Sequence, residues 1–205
     1  MLRGKVETSA LVAAGVHAMA EADRPLTLHY RKGKVRIYKL PNGETARLRT
    51  CNDHILITVA DSTDIDAAIN IEGTDWLMIV MPKIPRVEGD VFVYLVPTDV
   101  AVEAVRKGHQ SWLDSNPNTD GNNVTWNLWF ETRKSKIPEL HGFHEKWKEY
   151  LIDGTATTTI ISEDHKSAER KILSTKDEIE IARQRIAAAA GVRESDVKIT
   201  VDFGG

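Results

Sequence analysis

Hydrophobic and polar positions along this chain follow two periods, and the places where the period changes mark out its elements. Leu11, Val12, Val16 and Met19 recur at helical spacing over residues 8–23 and Pro25 ends the pattern, which predicts a first helix. Leu26, Leu28 and Tyr30 then alternate, as do Val35, Ile37 and Lys39 against Arg36, Tyr38 and Leu40. These predict two short strands around a turn at residues 31–34. Pro41-Asn42-Gly43 signals a hairpin, because Asn-Gly tolerates the positive φ that tight turns require. Residues 45–50 run back and residues 54–60 read as one more strand. The first quarter is thus expected to be a helix followed by a meander of antiparallel strands.

Residues 61–73 are acidic and loop-like. Two strongly apolar strands follow at 76–81 and 91–96, with Pro82 and Pro85 punctuating the loop between them. Pro97-Thr98-Asp99 opens a second helix that runs to about Leu113, and residues 115–123 form a loop. Trp126, Leu128 and Phe130 share one face of a strand over 125–131. A basic linker at 133–136 leads into a helix expected over 139–151, with Phe143, Trp147 and Tyr150 placed to pack. Near the end, Thr175 and Glu178 make a capping box. Ile179, Ala182, Ile186 and Ala189 form an apolar helical stripe, Gly191 stops it, and Val197, Ile199, Val201 and Phe203 alternate as a half-buried strand. A lone helix and strand cannot bury both their faces, so this unit needs a surface to dock on. The expected fold is α/β: a mixed central sheet with flanking helices over 1–161, and a helix–strand appendage over 162–205.

Composition narrows the class. A chain of 205 residues fits one domain with an appendage. A single cysteine, Cys51, excludes an intramolecular disulfide framework and suits a reducing compartment, so the expected location is cytoplasmic. No apolar run approaches the ~20 residues of a membrane span, and no membrane partner is expected. Residues 10–20 loosely imitate a secretory signal, but Glu7, His17 and the many alanines read as an ordinary helix.

Charge is unevenly distributed. Residues 25–50 hold Arg31, Lys32, Lys34, Arg36, Lys39, Arg47 and Arg49 against Glu44 alone, a net of +6. Residues 51–132 hold thirteen acids against Lys83, Arg86, Arg106 and Lys107, a net of −9. The seven cations, spaced along strands with Tyr30 and Tyr38 available for stacking, are the candidate nucleic-acid-binding residues. A solvated outer sheet face is the plainer reading of the same pattern.

Arg47-Leu48-Arg49-Thr50-Cys51-Asn52 follows a helix and a strand meander. Downstream, residues 75–80 and then Val93-Tyr94-Leu95-Val96-Pro97 form two apolar strands, the second closing on Val-Pro before a helix. Over roughly residues 8–131 this order resembles the PD-(D/E)xK nuclease superfamily, which implies a restriction-endonuclease-like fold. The resemblance would put an acid or glutamine at Arg47 and a lysine at Arg49. Metal-dependent cleavage needs carboxylates for Mg²⁺, and arginine replaces neither group. The resemblance therefore implies a nuclease-like core with its catalytic motif lost.

Other constellations carry less. Asp61, Asp64 and Asp66 lack the spacing of a calcium loop and suit capping or solvation. His141-Gly142-Phe143-His144, beside Glu145, puts two histidines at i, i+3 with no third ligand. Cys51 and His54 have no orienting partner, and the thiol reads as idle. The terminal Gly204-Gly205 resembles the tails of ubiquitin-like modifiers, although the rest of the unit departs from that fold. No catalytic residue, metal ligand or cofactor is assigned. The expectation is a non-catalytic protein that binds DNA, RNA or a protein partner through the basic meander, with oligomeric state open. The alternatives are a divergent metal-dependent nuclease or hydrolase using acids from 61–75, and an adaptor that binds through its C-terminal unit.

Overall fold

A strand that is apolar on both faces needs cover on both sides, and the first unit supplies it. A computed structural model of the chain describes residues 4–62, 64–118, 124–134, 137–152, 157–158, 193 and 196–199. Its elements are helix α1 (Thr8–Glu21), strands β1 (Thr27–Lys32), β2 (Val35–Lys39), β3 (Thr45–Thr50), β4 (Ile55–Val59), β5 (Trp76–Pro82) and β6 (Val91–Pro97), helix α2 (Thr98–Ser115), strand β7 (Thr125–Trp129) and the short helix α3 (Phe143–Lys146). Single 3-10 turns at Pro138–Leu140 and Lys148–Tyr150 flank α3.

Five strands form one mixed sheet in the order β1-β2-β3-β5-β6. β1, β2 and β3 are the antiparallel meander expected from the Asn42-Gly43 turn, where Gly43 takes φ +90°. The first strand runs on to Lys32, two residues past its expected end, and Gly33 at φ +57° makes the turn.

The expectation that residues 54–60 continue the meander is corrected. β3 instead pairs in parallel with β5, from Ala46 opposite Trp76 to Thr50 opposite Val80, and β5 pairs antiparallel with β6. β4 leaves the sheet and pairs with β7, from Ile55 opposite Trp129 to Val59 opposite Thr125. Burial explains the exchange. Leu77, Met78, Ile79, Val80 and Met81 of β5 are all fully buried, so that strand needs cover on both faces. β4 alternates, with Leu56 and Thr58 buried and Ile57 and Val59 exposed, which suits a one-sided sheet.

One face of the main sheet packs on α1, where Ala46, Leu48, Met78, Val80, Val93 and Leu95 meet the helix. The buried residues of α1 are Leu11, Ala13, Ala14, Gly15, Ala18 and Met19, while Val12 and Val16 are only half-buried. The helix turns its small residues inward, and a Cβ on Gly15 would stand 2.5 Å from Val80 Cγ2. The other face, with Leu77, Ile79, Tyr94 and Val96, packs on β4, β7, α2 and α3 through Leu56, Val105, Trp126, Leu128, Phe130 and Phe143.

The single helix expected over 139–151 is broken. Gly142 takes the left-handed conformation at φ +77°, which interrupts the helical ladder and starts α3 afresh. Beyond it the chain covers the outer edge of β6: Ile152 N donates to Val93 O at 2.8 Å and Thr157 bridges Asp90. Among the described residues no strand covers the outer edge of β1.

The chain divides into two compact units, Met1–Glu163 and Asp164–Gly205. The capped helix expected from Thr175 and Glu178, most of the strand expected over 197–203, and Gly204-Gly205 lie outside the described residues. Among the described residues no helix is long and apolar enough to cross a membrane.

Candidate functional site

Register decides how the basic residues are displayed, because directly opposed residues in a sheet share a face. Arg36 lies opposite Leu48, and Arg31 lies opposite Arg36, so both arginines are on the α1 face. Leu28 and Tyr38 are also on that face. A bulge at His29 shifts the phase of β1, and Tyr30, opposite Ile37, falls on the other face with Lys32, Lys39, Arg47 and Arg49. Lys34 is in the turn. Arg31, Lys32, Lys34 and Lys39 are exposed and Arg36 is half-buried. Tyr30 is 46% exposed, whereas Tyr38 is buried, so only Tyr30 offers a free ring. Burial pushes the Tyr38 phenol up, against the opposing pull of Arg36 and Arg31.

Arg47 and Arg49 are drawn off by the fold. Arg49 donates to Asn70 Oδ1 at 3.1 Å and to Ile57 O at 2.6 Å, and Arg47 makes a long 3.5 Å contact with Glu72 O. Burial lowers the pKa of both guanidiniums. From α2, Arg106 binds Ile65 O, Ala67 O and the Glu72 carboxylate. Three arginines thus hold the acidic crossover between β4 and β5. The structure therefore brings five of the seven candidate cations together on the β1–β2 hairpin, and turns the other two toward the interior.

The single acid of the basic segment is also occupied. Glu44 Oε2 accepts from Trp76 Nε1 and from Asn42 Nδ2, both at 2.7 Å. Asp75 Oδ2 accepts from the backbone and hydroxyl of Thr45, each at 2.8 Å, and these bonds hold its carboxyl below the ordinary range. Asp64 caps a local turn, accepting from Asp66 N at 3.0 Å. Among the described residues no group of three or more His, Cys, Asp or Glu side chains is placed to hold a metal ion.

A second polar cluster, built on the turn between β3 and β4, was not foreseen from the sequence. Asn52 closes on the backbone of Val6 with bonds of 2.9 and 3.0 Å. Asp53 pairs with Arg86, whose hydrogen bond is the main reason that the aspartate pKa is lowered. His54 is 3% exposed and sits at φ +55°, a left-handed conformation that non-glycine residues seldom adopt. Its Nε2 lies 2.6 Å from Pro82 O, its Nδ1 lies 3.2 Å from His144 Nε2, and His144 Nδ1 lies 2.7 Å from the Tyr94 hydroxyl.

The neutral tautomers follow from donor logic. Pro82 O can only accept, so His54 carries its proton on Nε2 and accepts at Nδ1. His144 therefore donates from Nε2 and accepts at Nδ1 from the Tyr94 hydroxyl. Burial raises the Tyr94 phenol to about 12, with Glu145 adding to the effect, and lowers the His144 pKa, with His54 adding to it. Both groups are thereby held in the neutral forms that the chain of bonds requires. Phe130 anchors it from the backbone, its N–H donating to His54 O at 2.9 Å and its carbonyl accepting from His144 N at 3.1 Å.

His141 and His144 do not act as a pair. The break at Gly142 leaves His141 against Trp129 and sends His144 to His54. Cys51 is buried, and its thiol is pushed up to about 12, mainly by burial. It is a packed side chain that carries no thiolate at neutral pH. No sequence spacing links His54 to His144; the glycine between the two later histidines was the only local hint. No protein-family model, curated protein or solved structure matches the chain.

Proposed function

We propose that this protein binds nucleic acid without cutting it, through the basic β1–β2 hairpin. One observation carries the reading. From Arg24 to Gly43 the chain has six arginines and lysines and no acid, and among the described residues none of the six makes an ion pair. Elsewhere in the first unit Lys83, Arg86, Arg106 and Arg133 each have a carboxylate partner. An unpaired basic surface releases counterions when it meets a phosphate backbone, and this makes binding favourable and dependent on salt.

The test is oligonucleotide binding across a salt series. With Lys32, Lys34 and Lys39 each meeting a phosphate, log K falls against log salt with a slope of roughly −2. Replacing Lys32, Lys34 and Lys39 together by alanine removes most of that slope. Binding that is absent at low salt, or insensitive to salt, would sink the proposal. Mg²⁺-dependent cleavage abolished by Asp75→Ala would replace it with the nuclease reading.

A further inference from the structure

We infer that the ligand of the hairpin is single-stranded nucleic acid, held on the face of β1 and β2 that α1 does not cover; this rests on the nucleic-acid reading above. On that face Tyr30 lies opposite Ile37, with Lys32 opposite Val35 one step toward the turn and Thr27 opposite Lys39 one step away. An exposed aromatic ring next to half-buried Ile37 and Val35 is thus bordered by Lys32 and Lys39 on the same face.

Bases are apolar on their faces and their backbone is anionic at regular intervals, so a ring flanked by cations suits an unpaired strand. A duplex keeps its bases stacked inside and offers the surface only phosphates, which leaves Tyr30 and Ile37 without a partner. The bulge at His29 is what places Tyr30 here. In a strand alternating regularly through His29, Tyr30 would share the α1 face with Leu28.

The experiment is fluorescence anisotropy at low salt with labelled oligo-dT, oligo-rU and a mixed-sequence DNA duplex of about 15 units each, a length that covers one strand-binding site. At least one single strand is expected to bind about tenfold tighter than the duplex, and the tighter of the two identifies the preferred sugar. Tyr30→Ala should weaken that binding about tenfold, the scale of one lost stacking contact, while Tyr30→Phe keeps it. Far-UV circular dichroism confirms that both variants are folded. Duplex binding as tight as either single strand, with Tyr30→Ala unchanged, overturns this inference and leaves the nucleic-acid reading standing. No binding of any probe overturns both.

Discussion

The β1–β2 hairpin and the turn at residues 51–54 lie at opposite ends of the same meander and use polar groups in opposite ways. In the hairpin, Arg31, Lys32, Lys34 and Lys39 face solvent and make no ion pair among the described residues. In the turn, Asn52, Asp53 and His54 each bind a group far away in sequence: Val6, Arg86, and Pro82 with His144. Surface charges with no partner contribute little to stability and remain available to a ligand. Polar groups that are buried and bonded to each other hold the fold together and are costly to disturb. The difference teaches that charge density along a chain marks a surface, whereas partner density in space marks a framework.

Substitutions in the framework should be felt as lost stability. His54→Ala strands the Pro82 carbonyl and the His144 Nε2 donor in the interior while keeping the strained φ. It should cost about 3 kcal/mol in a urea titration. A loss under 1 kcal/mol would mean that the turn is not a framework. Gly15→Ala drives a methyl into Val80 and Met78 and should cost about 2 kcal/mol by the same measurement, with no change in nucleic-acid affinity. Tyr94→Phe removes only the last donor of the chain of bonds and should cost about 1 kcal/mol.

Acid separates the two regions in another way. Burial holds His109, His141 and His144 below the ordinary histidine range, with Arg133 and Lys146 adding to the effect at His141. As pH falls, the unfolded chain takes up protons near pH 6.5 that the folded one still refuses. Stability is therefore whole above that pH and declines as the solution is acidified below it. Urea midpoints at pH 7.5 and pH 5.0 check this, and His144→Gln should flatten the difference. The smallest effect belongs to the hairpin. Alanine at Lys32 and Lys39 together should move stability by no more than about 0.5 kcal/mol while weakening oligonucleotide binding. Loss of stability without loss of binding would reverse the roles of the two regions.

Much of the fold was legible because most of its elements are set by local pattern. Period-2 and period-3.6 runs located α1, the β1–β3 meander, β5, β6, α2 and β7 to within a few residues, since burial of one face imposes that spacing wherever the element docks. The basic segment was legible too, because charge is a property of composition. Pattern failed where one residue overrode it. Gly142 broke a helix whose apolar spacing looked continuous, and the His29 bulge moved Tyr30 off the sheet face that Leu28 occupies.

Amino-acid order alone thus determined that the chain is α/β, where most of its strands and its two long described helices lie, and that residues 25–50 carry a net charge of +6. Only the tertiary structure decided that β3 lies parallel to β5 while β4 crosses to β7, because strands with similar apolar content compete for the same edge. That choice depends on which strand must be buried on both faces. Tertiary structure also decided that Arg47 and Arg49 serve the crossover, and that His54 meets His144 and Tyr94. Such contacts form between residues that share no local spacing, and they are settled by the packing of whole layers.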